Sequence, residues 1–483
     1  MREMGLHRII GLAVSRFWGR HRMSGWRNHH PVCEECMPKP MSLLRVLLFA
    51  NLISGCGSSG SPTTPPPPPP PTTGSLIVQV TGLPAATPAG IQVTGPGGFT
   101  QTVNATATLQ NLTPGAYVVN RAPVAGVPYS FAPTLPSATA NVTAGASATS
   151  TIAFVATTGA LQLALAGLPG NLTGSVTVSG PGGFAQTVQA ATRLDNLAPG
   201  NYEVHGNPVV DVGLGYGAGP TTNLAVSAGA TASRTVSWSL AVASRTTVER
   251  TDADASPKVK LLYALPSNAT DRSFDTDGSI HRSVSSWQRW LSAQTGGRAF
   301  RLDVTDGGAL DIAFVRLGRT EAEYANMGIG MRDVLEADLA ALGFNDGNKA
   351  YLVIFDGVNT TACGSAPRPP LLPGRVAGLY LRGTIPGADP CATHALAASA
   401  TAAPGYLEFV SLHEVLHIIG VVGAGAPNHA FDGHVGHDPS DLMYAGVQVW
   451  TPSRIDQART NYYNPAGLAG GLPNLSDSGY LLP

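Results

Sequence analysis

The sequence predicts two all-β sandwich repeats followed by an α/β (α+β) domain, and three observations predict it. Short landmarks recur at one constant offset through the first half of the chain. The texture changes near residue 245 from Ser/Thr/Ala/Val-rich runs to alternating strand and helix patterns. An almost uniformly apolar helix then carries two histidines and a glutamate. A chain of 483 residues exceeds one ordinary core, so it is read in segments. Charged residues make up 12% and the formal net charge is -1, which provides no field for nucleic acid or an anionic membrane surface.

Residues 41 to 56 have a short basic start, an apolar run and small residues before a cysteine. This is an export signal, too short to span a membrane. Its end, Ile53-Ser54-Gly55-Cys56, resembles the lipobox of bacterial lipoproteins. That resemblance implies acylation of Cys56, cleavage before it, and a membrane partner reached through the lipid anchor. Residues 57 to 74 form a Ser/Pro/Thr linker with seven consecutive prolines, an extended spacer that buries no core. The expected location is the bacterial cell envelope, at the outer membrane or cell surface. Residues 1 to 40 sit upstream of the signal and read as a non-native extension, with a translation start at Met37 or Met41. Cys33 and Cys36 form a CxxC pair there, with no second pair to complete a zinc site.

Three landmarks define the repeats, expected at 75–157 and 158–243. Gly74-Ser-Leu-Ile-Val pairs with Gly159-Ala-Leu-Gln-Leu, Gly95-Pro-Gly-Gly-Phe99 with Gly180-Pro-Gly-Gly-Phe184, and Asn111-Leu-Thr-Pro-Gly115 with Asn196-Leu-Ala-Pro-Gly200. Each pair is 85 residues apart, which marks a tandem duplication. Alternating runs such as Leu76-Ile-Val-Gln-Val80 between Pro/Gly turns predict sandwiches. Gly-Pro-Gly-Gly-Phe lacks the Lys-Ser/Thr of a phosphate loop and is expected to be a hairpin turn. The modules are similar to the small transthyretin-like or Ig-like accessory modules of secreted bacterial enzymes. That likeness implies spacing or weak binding duties.

The third domain is expected over 245–483. Strands are predicted at Lys258 to Leu265 and Lys349 to Phe355, and at Val376 to Arg382 as the sheet edge. Ala299 to Val304 and Leu310 to Val315 are predicted as a strand pair. Helices are predicted at Ser279 to Gln294, with Trp287 and Trp290, and at Gly330 to Leu342. The helix after Pro404 carries Leu407, Phe409, Val410, Leu412, Val415, Leu416, Ile418 and Ile419, so it should be buried. Set into it is His413-Glu414-Val415-Leu416-His417. Residues four apart share a helix face, so both imidazoles can bind one zinc ion while Glu414 reaches a water beside it. Two imidazoles and a carboxylate are costly to bury in such a helix without strong partners, and a metal provides them. The chemistry expected is hydrolysis with Glu414 as general base.

No glutamate follows Glu414, so a third ligand has to be His or Asp. The candidates in Asn428 to Tyr444 are His429, Asp432, His434, His437 and Asp438. The run from His413 through Gly420, with Met443-Tyr444 beyond it, resembles the metzincin zinc peptidases, where a glycine three residues past the second histidine turns the chain back under the metal. The sequence departs from their pattern: Gly423 stands where the third histidine is wanted. An Ala-Pro, a Gly-His, an Asp-rich loop and a Met-Tyr after the helix are similar to exported bacterial metalloproteases with a lengthened ligand loop. That resemblance points to His434, with His429 and Asp438 in reserve and His437 as a loop residue. It also implies Met443 beneath the metal without binding it, Tyr444 as a hydrogen-bond donor to an oxyanion or ligand, and a terminal helix from Ser453 to Tyr462.

Cys363 and Cys391 flank the stretch before the motif helix, and in an exported protein they are expected to form a disulfide at the site rim. The main expectation is a zinc endopeptidase acting on extracellular or periplasmic protein or peptide. The alternative is a surface adhesion or binding lipoprotein whose metal domain is inactive. Zinc hydrolysis of another acyl substrate ranks third.

Overall fold

The computed structural model describes residues 68–369, 372–384 and 390–482. Cys33, Cys36, Cys56, the export signal and most of the linker lie outside the described residues.

Each repeat is a sandwich of two sheets. In the first, strand Gly74–Thr81 runs parallel to Ser147–Ala156 and antiparallel to Ala107–Leu112, facing a second sheet of Ile91–Gly95, Phe99–Val103, Gly115–Asn120 and Ser137–Val142. The second repeat reproduces this with Gly159–Ala166 parallel to Thr231–Leu240 and extends that sheet to five strands with Leu214–Ala218 and Val209–Asp211. Alternation does the sorting: Leu76 and Val78 point into the first core, with their neighbours turned outward. The Gly-Pro-Gly-Gly-Phe segments are hairpin turns, with Gly97 and Gly182 at φ near 70°. Gly95 and Gly180 are required for another reason. A Cβ there would lie 2.3 and 2.4 Å from the rings of Tyr117 and Tyr202. Those tyrosines each donate a hydroxyl to the carbonyl four residues upstream, at Thr113 and Ala198, both at 3.0 Å.

The third domain is layered. Four parallel strands run in the order Ile312–Arg316, Lys258–Leu265, Lys349–Asn359, Val376–Gly383, with the antiparallel pair Gly364–Ser365 on the far side. Lys258–Leu265 is buried along its whole length because helices cover both faces. Helices α1 (Ser279–Thr295) and α4 (Tyr406–Ile419) pack on the face of Leu261, Tyr263 and Leu265, whereas α2 (Glu321–Ala325) and α3 (Met331–Ala341) pack on that of Leu262 and Ala264.

Three expectations about this domain need correction. Val376–Gly383 is not the edge, because Gly364–Ser365 pairs beyond it. Residues 299 to 304 do not form a regular strand pair with Leu310 to Val315: isolated bridges tie Phe300 to Leu481 and Leu302 to Val259, and the two segments meet only at the Val304–Leu310 bridge and the Asp311 N–H to Asp303 carbonyl bond beside it. The second segment instead joins the sheet as Ile312–Arg316, where parallel pairing to Lys258–Leu265 satisfies its backbone. Ser453 to Tyr462 forms no helix. The Asp456 carboxylate accepts from the backbone N–H groups of Thr460, Asn461, Tyr462 and Tyr463, which draws the chain into a loop around one buried acid.

The second repeat is joined to this layered domain through direct, partly buried contacts. Gly215 N–H donates to the Gly308 carbonyl (2.7 Å), Gln288 to the Val212 carbonyl (3.1 Å), and Arg289 pairs with Asp211 (2.5 Å).

His281 on α1 is 1% exposed, and among the described residues neither ring nitrogen has a well-formed hydrogen-bond partner. Burial, with Arg282 adding to it, lowers its pKa from 6.5 to about 4. The folded form therefore disfavours the proton that the unfolded chain accepts, so stability is lost as pH falls from 6.5 towards 4. In His281→Leu, thermal midpoints measured across that window are expected to fall less steeply than in the wild type.

Candidate metal centre

Helix α4 begins at Tyr406, where the Glu408 carboxylate accepts from Gly405 N–H (3.0 Å). The same buried carboxylate takes the Ser283 hydroxyl (2.6 Å) and the Ala397 N–H (2.9 Å), which locks α4 to α1 and to the preceding loop. The helix ends at Gly420, whose φ of 76° reverses the chain. His413, Glu414 and His417 fall in its last two turns and are buried or half-buried.

The returning loop brings His434 to the pair. Asp432 and Gly433 both have positive φ, 48° and 77°, and the turn they make places the Phe431 carbonyl 3.1 Å from His434 Nδ1. The three Nε2 atoms lie 3.0 Å (His413–His417), 3.1 Å (His417–His434) and 3.2 Å (His413–His434) apart. Neither His429 nor Asp438 enters this cluster. His429 contributes a backbone bridge to Val435, and Asp438 binds the Ser440 N–H and hydroxyl.

Chemistry decides what such a triangle can be. His413 Nδ1 faces the Leu442 carbonyl at 2.7 Å, and His434 Nδ1 faces that of Phe431, so both carry their proton on Nδ1. Their Nε2 atoms are then bare lone pairs aimed at one point, which cannot hydrogen-bond to each other. Burial lowers His413 to about 4. Burial and His413 lower His434 to about 3, and burial and both neighbours hold His417 well below the usual range. Three neutral imidazoles 3.0–3.2 Å apart match a tetrahedral cation held at zinc–nitrogen distances, for which adjacent donors sit about 3.3 Å apart. The donor set fits zinc.

Glu414 is buried beside them, and desolvation pushes its carboxyl up to about 8, opposed by the positive charge of Arg368. It fits only because residue 364 is glycine. A Cβ on Gly364 would stand 2.6 Å from Glu414 Oε1 and 2.5 Å from Val410 Cγ1. The neighbouring Cys363 forms a disulfide with Cys391, Cα–Cα 5.7 Å, and so pins the segment that faces Glu414.

Met443 is fully buried in a turn that holds two of the three histidines. Leu442 offers its carbonyl to His413, while Val435, next to His434, donates to the Met443 carbonyl (2.9 Å) and accepts from Ala445 N–H (3.0 Å). The Tyr444 hydroxyl accepts from Gln448 N–H at 3.0 Å, in the loop beyond the turn, which leaves its own proton to be donated. Several residues at the centre were not anticipated. Trp450 packs edge-on to His413 with centroids 5.6 Å apart and donates to the Asp441 carbonyl. Arg368 pairs with Asp432 on the ligand loop at 2.8 Å. Only a tryptophan soon after the Met-Tyr turn gave a sequence signal, and that signal does not fix which face it meets.

No protein-family model matches the chain, and no curated protein matches it. Among solved structures, the Bacillus anthracis TIE protein is 14% identical over 41% of this chain and 37% of its own, with a TM-score of 0.19. The shaft pilin SpaA of Lactobacillus rhamnosus GG is 11% identical over 36% of this chain and all of its own, TM-score 0.21. The minor pilin of Streptococcus agalactiae is 11% identical over 36% and 98%, TM-score 0.17. The match therefore spans little more than a third of the TIE protein. Likenesses this distant leave the chemistry to be argued from the residues.

Proposed function

We propose that the chain is a zinc-dependent endopeptidase of metzincin-like character, with His413, His417 and His434 as ligands and Glu414 as general base. The observation that carries this reading is the convergence of three neutral histidines, two of them with Nε2 left bare by an Nδ1 hydrogen bond, beside a buried carboxylate. Zinc, when bound there, supplies a Lewis acid for the scissile carbonyl and lowers the pKa of water. Glu414, which a cation held by the neighbouring histidines would keep ionised against the burial that raises its carboxyl, takes the proton from the attacking water and delivers it to the departing amine. Burial by Val410 and Gly364 keeps that carboxylate desolvated, which strengthens its interaction with the transferred proton. Met443 fills the floor, and the turn that contains it fixes His413 and His434. The Tyr444 hydroxyl retains its proton for donation after accepting from Gln448.

The substrate class is extracellular or periplasmic protein, and the cell envelope is the proposed site of action, reached through a lipid anchor on Cys56. Among the described residues no helix is long and apolar enough to cross a membrane. A second reading rests on the repeats: a surface adhesion or binding protein with a silent metal domain. It is favoured by a first sandwich whose Gly74–Ala156 span contains one ionisable Lys, Arg, Asp or Glu, Arg121, so that its surface offers mainly hydroxyls and apolar groups. Cleavage of an unbiased peptide mixture by the purified full chain decides between them. The expected result is internal cleavage that a chelator abolishes and substoichiometric to equimolar zinc restores. A folded chain that cleaves nothing and binds the matrix or glycan through its repeats supports the second reading.

A further inference from the structure

Asp441 lies in the wall of the centre without touching a histidine. It is 1% exposed, and one of its oxygens, Oδ1, accepts from the N–H of Met443 (2.8 Å) and from the Tyr462 hydroxyl (2.8 Å). That N–H belongs to the peptide group whose carbonyl, on Leu442, accepts from His413 Nδ1 at 2.7 Å. A trans peptide points its carbonyl and N–H in opposite directions, so acid, peptide and imidazole form one line. The backbone carbonyl of Asp441 also accepts from Trp450 Nε1 (3.1 Å), whose ring stands edge-on to His413.

We propose that Asp441 is a positioning residue that acts on His413 through the Leu442–Met443 peptide, in place of the direct carboxylate–histidine contact common at zinc sites. A negative charge accepting from the N–H of an amide shifts electron density towards its carbonyl oxygen, and hydrogen bonds in series reinforce one another. A more negative Leu442 oxygen pulls harder on the Nδ1 proton of His413, which makes Nε2 a better donor and holds the ring against rotation. The low-dielectric wall made by Leu442, Met443, Tyr462 and Trp450 keeps water from screening the charge. The inference rests on the zinc reading of the three histidines.

The test uses the full chain, with zinc affinity measured by competition against a chromophoric chelator and the His413 Nδ1–H proton resonance followed in metal-free protein. Asp441→Asn keeps an oxygen for both donors and removes only the charge. Affinity is expected to fall about tenfold, in the range found for outer partners of metal ligands, with the proton resonance moving upfield. Tyr462→Phe frees Oδ1 for the Met443 N–H alone and, assayed at about pH 8.5 so that Asp441 stays ionised without the Tyr462 hydroxyl that helps hold its pKa down, is expected to bind at least as tightly as wild type at the same pH. Zinc affinity of Asp441→Asn within about twofold of wild type, or an equal loss in Tyr462→Phe, overturns the relay and reduces Asp441 to packing. Should Asp441→Asn not fold, the Tyr462→Phe arm still decides, since a fall there contradicts the proposal and retention supports it. Failure of the zinc reading looks different, because wild type itself then competes for no metal.

Discussion

Glu414→Gln is expected to retain wild-type zinc content and the wild-type fold while kcat for peptide hydrolysis falls by roughly 10^2–10^4-fold, the range for loss of a positioned general base. Glutamine occupies the same space beside Gly364 and Val410, so the pocket that a Cβ on residue 364 would fill stays intact. The loss should appear in kcat with little change in KM, because proton transfer belongs to the transition state. Steady-state kinetics paired with metal analysis separate this from a structural effect. Undiminished hydrolysis by the variant refutes the assigned role.

The second large effect concerns stability. Lys349 is 1% exposed, and its ammonium meets Glu249 (2.6 Å), Asp303 (2.8 Å) and Asp252 (2.9 Å). Lys260, wholly buried on the adjacent strand, shares Glu249 and Asp303 and takes Asp311 at 2.6 Å. Three carboxylates so close invite comparison with a cation site, but the ammonium groups already occupy the space between them. Burial lowers the Lys349 pKa, and hydrogen bonds to the surrounding carboxylates more than reverse that, holding it above its ordinary value. Removing one partner of such a network leaves its counter-charges buried without compensation, which costs about 3–5 kcal/mol. Lys349→Met is therefore expected to lower the thermal midpoint by on the order of 10 °C. A change within about 2 °C contradicts the assignment of this cluster as a structural support.

Much of the fold was legible because its signals are local. Period-two alternation at Leu76 and Val78 marks a half-buried strand, the constant spacing of Gly95 and Gly180 marks a repeat, and an apolar run from Leu261 to Leu265 marks a strand in the third domain. The errors came where tertiary partners override local preference. The run from Ser453 to Tyr462 has helix-compatible residues, yet the Asp456 carboxylate offers its backbone amides a better partner than a helix would. The edge pair Gly364–Ser365 is too short to carry a period at all. At the site, His413, Glu414 and His417 follow from spacing alone, whereas His434 required a resemblance, because the turn at Asp432 and Gly433 that delivers it has no spacing rule. Asp441 and Arg368 were invisible for the same reason: their roles arise from what lies beside them in space.

The central claim is that His413, His417 and His434 hold one zinc ion. The measurement that tests it most directly is zinc content by mass spectrometry on the full chain, comparing wild type with His413→Ala, His434→Ala and His429→Ala. The account predicts near-stoichiometric zinc in wild type and in His429→Ala, and loss in the other two with the fold retained. Zinc kept in His434→Ala, or none in correctly folded wild type, would contradict it.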